Sequence, residues 1–509
     1  MSQAQSHINV PHRGLVTVSV MLATVMQVLD TTIANVALPT MTGDLGASQD
    51  TINWVLTSYI VAAAIMTPVT GWLSDRIGRR ELFIISIIGF TITSMLCGLA
   101  WNLEAMVGFR LLQGVFGAAI VPLSQTILLD INPKERQGSA MAIWGAGIMV
   151  GPIIGPTLGG WLTETANWRW VFFINLPVGI LAVLGAAAYL PKFAKRRRGF
   201  DFFGFAMLSL GVGALQLMLD RGAEVDWFSS TEIWIELALS ITGFWMFVVH
   251  LVTGKDTFID PNMFLDWNFV VSLIFIFIVG VILLSGLALL PPMLGNLFNH
   301  STTLTGIVMA PRGIGTMISM LLVGRLVRMI DPRMLVLTGL LLTAWSLHMM
   351  TNFTPQMDDT PVILSGIVQG LGLGLVFVPL STLAFSTLDP RHRADGTSLF
   401  TLVRNIGSSI GISVVSVLLT RNIQINHSEL ASGLTPYNQN LAAALPKAVT
   451  GDTTTLNQLD QLVNQQAAMI SYVNDFKLMM IVTLFAIPLV FLLRRSTVPR
   501  PAVAAAHMD

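Results

Sequence analysis

The chain of 509 residues carries 28 basic and 28 acidic side chains, so its net charge is zero and no nucleic acid or other charged polymer is implied as a partner. Only 11% of residues are charged, 53% are hydrophobic and the mean hydropathy is +0.71, which excludes an ordinary soluble domain and points to an all-α integral membrane protein. The single cysteine, Cys97, lies in an apolar run and can form no intrachain disulfide.

Residues 1–13 are polar. The first apolar run is too long for a secretory signal and lacks a small-residue cleavage site, so the first span is expected to stay in the mature protein. Runs of roughly 17–25 apolar residues, the length that crosses a bilayer, fall at about 14–38, 51–73, 82–101, 103–128, 138–162 and 169–190. A pair follows at about 202–219 and 232–252, and six more at about 268–291, 303–327, 334–350, 361–385, 397–420 and 477–493. The predicted total is about fourteen spans.

Positive charge sets the orientation, because cytoplasmic loops collect Lys and Arg. With the N-terminus inside, the inner loops hold Arg76, Arg79, Arg80, Lys134, Arg136, Lys192, the run Lys195 to Arg198, Lys255, Arg328, Arg333, Arg391 and Arg393, and the tail adds Arg494 and Arg495. The outer loops hold little beyond Arg221, Arg421 and Lys447. Both termini are therefore expected to be cytoplasmic.

An internal repeat divides the chain. Val121-Pro122-Leu123-Ser124 and Asn132-Pro133-Lys134-Glu135-Arg136 with Gln137-Gly138-Ser139 are echoed by Val378-Pro379-Leu380-Ser381 and Asp389-Pro390-Arg391-His392-Arg393 with Asp395-Gly396-Thr397. Upstream, Gln113-Gly114 matches Gln369-Gly370. Two copies running in the same direction predict a rocker-type secondary transporter. Residues 1–190 would form one six-helix half, 191–267 a central two-helix insert with its linkers, and 268–509 a second half with an outer loop over 421–476.

Between the second and third spans, Gly71-Trp72-Leu73-Ser74-Asp75-Arg76-Ile77-Gly78-Arg79-Arg80 packs unusual charge into a short turn. The flanking helices must be antiparallel neighbours, and Gly78 permits the positive φ that closes the turn. Asp75 is expected to latch the cytoplasmic side through an Arg of the hairpin or a helix N-terminus of the other half. In the fifth span Gly147, Gly151, Gly155 and Gly159 recur every four residues, with Gly160 beside them, and let a neighbouring backbone approach, while Pro152 and Pro156 bend the helix.

In the first span Gln27, Thr31 and Asn35 recur at i, i+4 and i+8 with Asp30 beside them, a polar stripe expected to face an interior cavity. Burial penalises a carboxylate's charge, so Asp30 is a group that can alternately hold and release a proton, and it is the proton-coupling candidate. A permanent structural pairing is the alternative. Its expected partner is Arg110: at 1.5 Å per residue the two lie about 12 Å and about 10 Å below the outer ends of their spans. Gln113, one turn from Arg110, is a candidate orienting partner.

By this placement Asp30 is the one acid near the middle of a span, whereas Arg312 and Arg404 are buried cations of the second half. The asymmetry disfavours dications and suggests a lipophilic substrate, neutral or weakly acidic, with Arg312 either an anion contact or a donor to backbone carbonyls. The many Met and Phe residues suit a repackable cavity. In the outer loop Leu456, Leu459, Val463 and Ile470 predict an amphipathic helix that seeks a partner or the protein's own surface.

These motifs carry a resemblance. Gly71 to Arg80 resembles the signature hairpin of the major facilitator superfamily, Arg110 to Gly114 with Gly117-Ala118-Ala119 its fourth-helix motif, and the Gly147 to Gly160 series the motif of its antiporters. Leu29 to Pro39, and Trp168-Arg169-Trp170 with Phe172-Phe173-Ile174-Asn175, are similar to stretches of the fourteen-span drug:proton antiporters of EmrB type. The resemblance implies export of hydrophobic drugs and toxic compounds across a bacterial inner membrane, driven by the proton motive force without a cofactor. It also implies a role for the fifth span in sealing against proton leak, and a periplasmic adaptor with an outer-membrane channel as partners. A substrate:proton symporter would share the fold; a non-transporting receptor or an enzyme would need a signalling domain or a catalytic constellation, and the sequence displays no metal-ligand cluster, nucleophile motif or phosphate loop.

Overall fold

A computed structural model describes residues 10–48, 51–196, 199–254, 257–435 and 452–494. Among them are fourteen helices long and apolar enough to cross a membrane, and no β-strand. They are α1 Arg13–Asp44, α2 Trp54–Ile77, α3 Arg79–Gly98, α4 Leu103–Ile131, α5 Lys134–Thr165, α6 Trp170–Tyr189 and α7 Phe202–Arg221. The rest are α8 Thr231–Thr253, α9 Trp267–Phe298, α10 Thr303–Val327, α11 Pro332–Met350, α12 Thr360–Ser386, α13 Pro390–Ser432 and α14 Thr453–Leu492. Arg197, Arg198, Lys255, Lys447, Arg495 and the Arg328 side chain, all used in the charge reading, lie outside the described residues.

A helix satisfies its own backbone in lipid, so polar residues are needed chiefly at its ends. The side chains of Asn102, Asp201, Asp266 and Asp331 accept from backbone amides of the first turns of α4, α7, α9 and α11. Gly78, at φ 108°, makes the turn that lays α3 antiparallel to α2.

The first six and last six spans repeat one neighbour pattern. α1 packs on α5 and α6, α4 on α2 and α3, and α3 on α6; correspondingly α9 packs on α13 and α14, α12 on α10 and α11, and α11 on α14. The two sets meet along α5 with α10 and α12, and at the α2–α3 turn end where α13 meets α2 and α4. The central pair is in contact with both: α7 packs on α2 and on α13, and Ser409 of α13 donates to Gln216 of α7 at 3.0 Å.

The expected outer loop is shorter than the hydropathy implied. α13 continues to Ser432 and α14 begins at Thr453, so the two helices run on past their apolar stretches as an antiparallel pair; residues 436–451 lie outside the described residues. Hydropathy reports bilayer thickness, whereas a helix continues as long as its ladder and packing hold. Asn426 donates to Ser471 at 2.9 Å and Gln465 to the Leu297 carbonyl of α9 at 3.3 Å. Val463 and Ala467 are buried in this pairing, while Leu456 and Ile470 remain exposed, so only part of the expected apolar stripe is covered.

Candidate functional site

Asp30 sits at the centre of a buried polar cluster that joins five helices. Its carboxylate accepts from Arg110 Nη1 at 2.7 Å, Asn175 Nδ2 at 2.6 Å and Gln113 Nε2 at 3.0 Å, and the Asp30, Arg110 and Gln113 side chains are all fully buried. The guanidinium also donates to Gln113 Oε1 at 2.7 Å and to the Val55 carbonyl of α2 at 3.1 Å, and it lies over the rings of Tyr59 and Phe172. Asn175 continues to Ser94 of α3 at 2.9 Å. Every partner of the carboxylate is a donor, with Arg110 on Oδ2 and both Gln113 and Asn175 on Oδ1.

The polar stripe of α1 does not all face one way. Asp30 turns into the packing of the first six spans, Gln27 donates to Tyr59 at 3.3 Å, Thr31 bonds its own helix at the Val28 carbonyl, and Asn35 is exposed. Asn175 is absent from the sequence-derived site, although it closes the Phe172 to Asn175 motif. An uncharged amide in a span is the signal that could have found it.

At the α2–α3 turn the two sets of helices are tied together. Gly71 leaves space that Asp395 of α13 occupies, Arg79 pairs with Asp130 of α4, and the same carboxylate pairs with Arg393 of α13 at 3.1 Å. Thr126 and Thr397 bond at 2.7 Å, and Ser139 donates to the Gly324 carbonyl of α10 at 2.8 Å. Arg76 lies over the Trp72 ring, Arg80 donates to the Ala187 carbonyl, and the Asp75 carbonyl accepts from the Arg196 amide at 2.8 Å. Asp130 is the junction of this end, and sequence reading missed it because it lies just beyond the apolar part of span four.

The glycine row of α5 faces α1. Gly147 meets Met21, Gly151 meets Val28 and Leu29, Gly155 meets Thr32 and Gly159 meets Ile33, while Gly160 faces Thr303 of α10. The helix breaks at Met149 between Lys134–Ile148 and Val150–Thr165, and Pro152 and Pro156 remove two ladder donors just beyond the break.

A small cavity lies between α5, α9, α10, α12 and α13. Met149, Met320, Leu373 and Phe377 line it with Arg404, its one charged lining residue. Arg312 is not part of that wall. It is buried behind it, donating through Nη2 to the Leu283 carbonyl at 3.1 Å, with Nη1 unpartnered. Enclosed acids also occur beyond Asp30: Asp220 near the end of α7, half-buried and bonded by Gln216 at 2.9 Å, and Asp475, buried within α14. Both fall just outside the apolar runs by which the spans were placed, so the expected acid–base asymmetry is weaker than the sequence suggested.

Residues 20–412 match the family described as Major Facilitator Superfamily. The chain belongs to the major facilitator superfamily. It is 37% identical over 462 residues to the multidrug export protein EmrB of Haemophilus influenzae, covering 90% of this chain and 91% of that one. It is likewise 37% identical over 485 residues to the fatty acid resistance protein FarB of Neisseria gonorrhoeae, covering 94% and 95%. The proton:xylose symporter XylE shares the fold at a TM-score of 0.60 with 13% identity, covering 95% of this chain and 96% of that one. The protein is thus a multi-pass membrane transporter by family, and the fold alone does not set the direction of its coupling.

Proposed function

We propose that this chain exports lipophilic compounds in exchange for protons, by alternating access across a bacterial inner membrane with both termini cytoplasmic. The observation that carries the reading is the Asp30 cluster, a fully buried carboxylate in the first six spans whose hydrogen-bond partners are all donors. Protonation would release Arg110 and loosen the joint among α1, α4 and α6; deprotonation would restore it. The α2–α3 turn end supplies the element to be switched: Asp130 joins α4 to α13 through Arg393, a contact that opening of that side would break.

The Arg404-bearing cavity supports a substrate that is mostly apolar and neutral or weakly acidic. The similarity to EmrB and to a protein of fatty acid resistance supports the same class. The extended α13–α14 pair, which reaches past the bundle opposite the α2–α3 turn, is the surface on which a periplasmic adaptor leading to an outer-membrane channel would dock. In cells expressing the protein, accumulation of a lipophilic dye should fall and should recover when an uncoupler collapses the proton gradient. Export that survives the uncoupler would overturn the reading.

A further inference from the structure

The repeat places Gln369-Gly370 of α12 where the first six spans have Gln113-Gly114 of α4, and the packing keeps the same register. Gly114 faces the Tyr59 carbonyl and the Ala63 amide of α2; Gly370 faces the Arg312 carbonyl and the Thr316 amide of α10. Arg312 therefore stands where the first set has Tyr59, the ring on which Arg110 lies. Gly366, three residues before Gln369, stands where the first set has Arg110, and it packs on the Arg312 Cβ. Each set of helices thus buries one guanidinium and one glutamine at matching places, delivered from different helices.

What differs is the carboxylate. In the first set Asp30 answers Arg110 and Gln113. In the second, α9, α10 and α12 carry no acidic residue along their spans. Arg312 Nη1 is buried without a partner, and so are both the amide nitrogen and the amide oxygen of Gln369, whose side chain is fully enclosed. That guanidinium packs against Gly286 of α9, where a Cβ would stand 3.3 Å from Nη1 and 3.4 Å from Nη2. Leaving such groups unanswered is costly, and an arriving anion repays the cost. The pocket is within reach of the cavity, because Leu283, whose carbonyl Arg312 bonds, and Thr316, whose hydroxyl bonds the Arg312 carbonyl at 3.0 Å, both line it.

We propose that Arg312 and Gln369 form a carboxylate site, in which the acid head of a lipophilic substrate takes the place that Asp30 fills in the first six spans while its tail extends toward the Arg404 cavity. This deepens the export reading and rests on it for the substrate's class. A planar guanidinium suits a carboxylate by paired charge-assisted bonds, and an amide completes the set. Neutral lipophiles would use the cavity without the site.

The test is titration calorimetry on purified, delipidated protein in neutral detergent, with dodecanoate and dodecan-1-ol as probes, so that no phospholipid head group competes. Arg312→Gln should weaken dodecanoate binding by about tenfold or more and leave dodecanol binding unchanged. Gln369→Leu should weaken dodecanoate by a smaller factor, and Gly286→Asp, which supplies an internal carboxylate, should abolish the preference for dodecanoate. Retained dodecanol binding shows that each variant is folded. Dodecanoate binding unchanged in Arg312→Gln and in Gly286→Asp would overturn the proposal. Failure of the wild type to couple transport to protons would instead overturn the export reading and leave the binding result standing.

Discussion

The Arg110 guanidinium and the Asp30 carboxylate meet at 2.7 Å with both side chains fully enclosed by protein. Breaking a buried pair by removing one member leaves an uncompensated charge, typically at a cost of about 3–5 kcal/mol. Arg110→Gln should therefore lower the melting temperature in detergent, measured by tryptophan fluorescence. The double variant Asp30→Asn with Arg110→Gln should recover most of the loss, because neither charge is then stranded. A double variant as unstable as the single would show that the pair contributes little.

Asp130 holds Arg79 of α3 and Arg393 of α13 on one carboxylate. Asp130→Asn should weaken the shut state of this end. Thr126, fully buried and bonded to Thr397 at 2.7 Å, is the reporter: a Thr126→Cys variant should react with a water-soluble maleimide several-fold faster when Asp130 is also Asn. An unchanged rate would remove Asp130 from the latch.

The α1–α5 seam has no room for a side chain at Gly151, where a Cβ would stand 2.7 Å from Val28 Cγ1 and 3.1 Å from the Leu29 nitrogen. Gly151→Leu should cost about 1–3 kcal/mol by overpacking and should raise passive proton leak in proteoliposomes. Gly108, which has open space around it, should accept Ala with neither effect. Equal behaviour of the two variants would mean that the seam is not close-packed in the membrane.

Much of the molecule was legible because polar residues are conspicuous in apolar helices. Asp30, Arg110 and Gln113 stood out for that reason, and counting rise along two spans was enough to set the pair at one depth. The span count survived because each apolar run ends in charge or a cap. Asn175 was hidden by its lack of charge, and Asp130, Asp220 and Asp475 by lying at the edges of runs defined by hydropathy. The extension of α13 and α14 past the bilayer length was invisible for a related reason: hydropathy falls at the interface while the helical ladder continues. The direction in which Asp30 faces is a property of packing among five helices, which periodicity along one helix does not encode.

The most direct test of the account is substrate-driven proton movement in proteoliposomes of known orientation, comparing the wild type with Asp30→Asn under an imposed pH gradient. The account predicts that substrate and protons move in opposite directions in the wild type and that this coupling is lost in Asp30→Asn. Movement of both in the same direction, or coupling that persists without the Asp30 carboxylate, would contradict it.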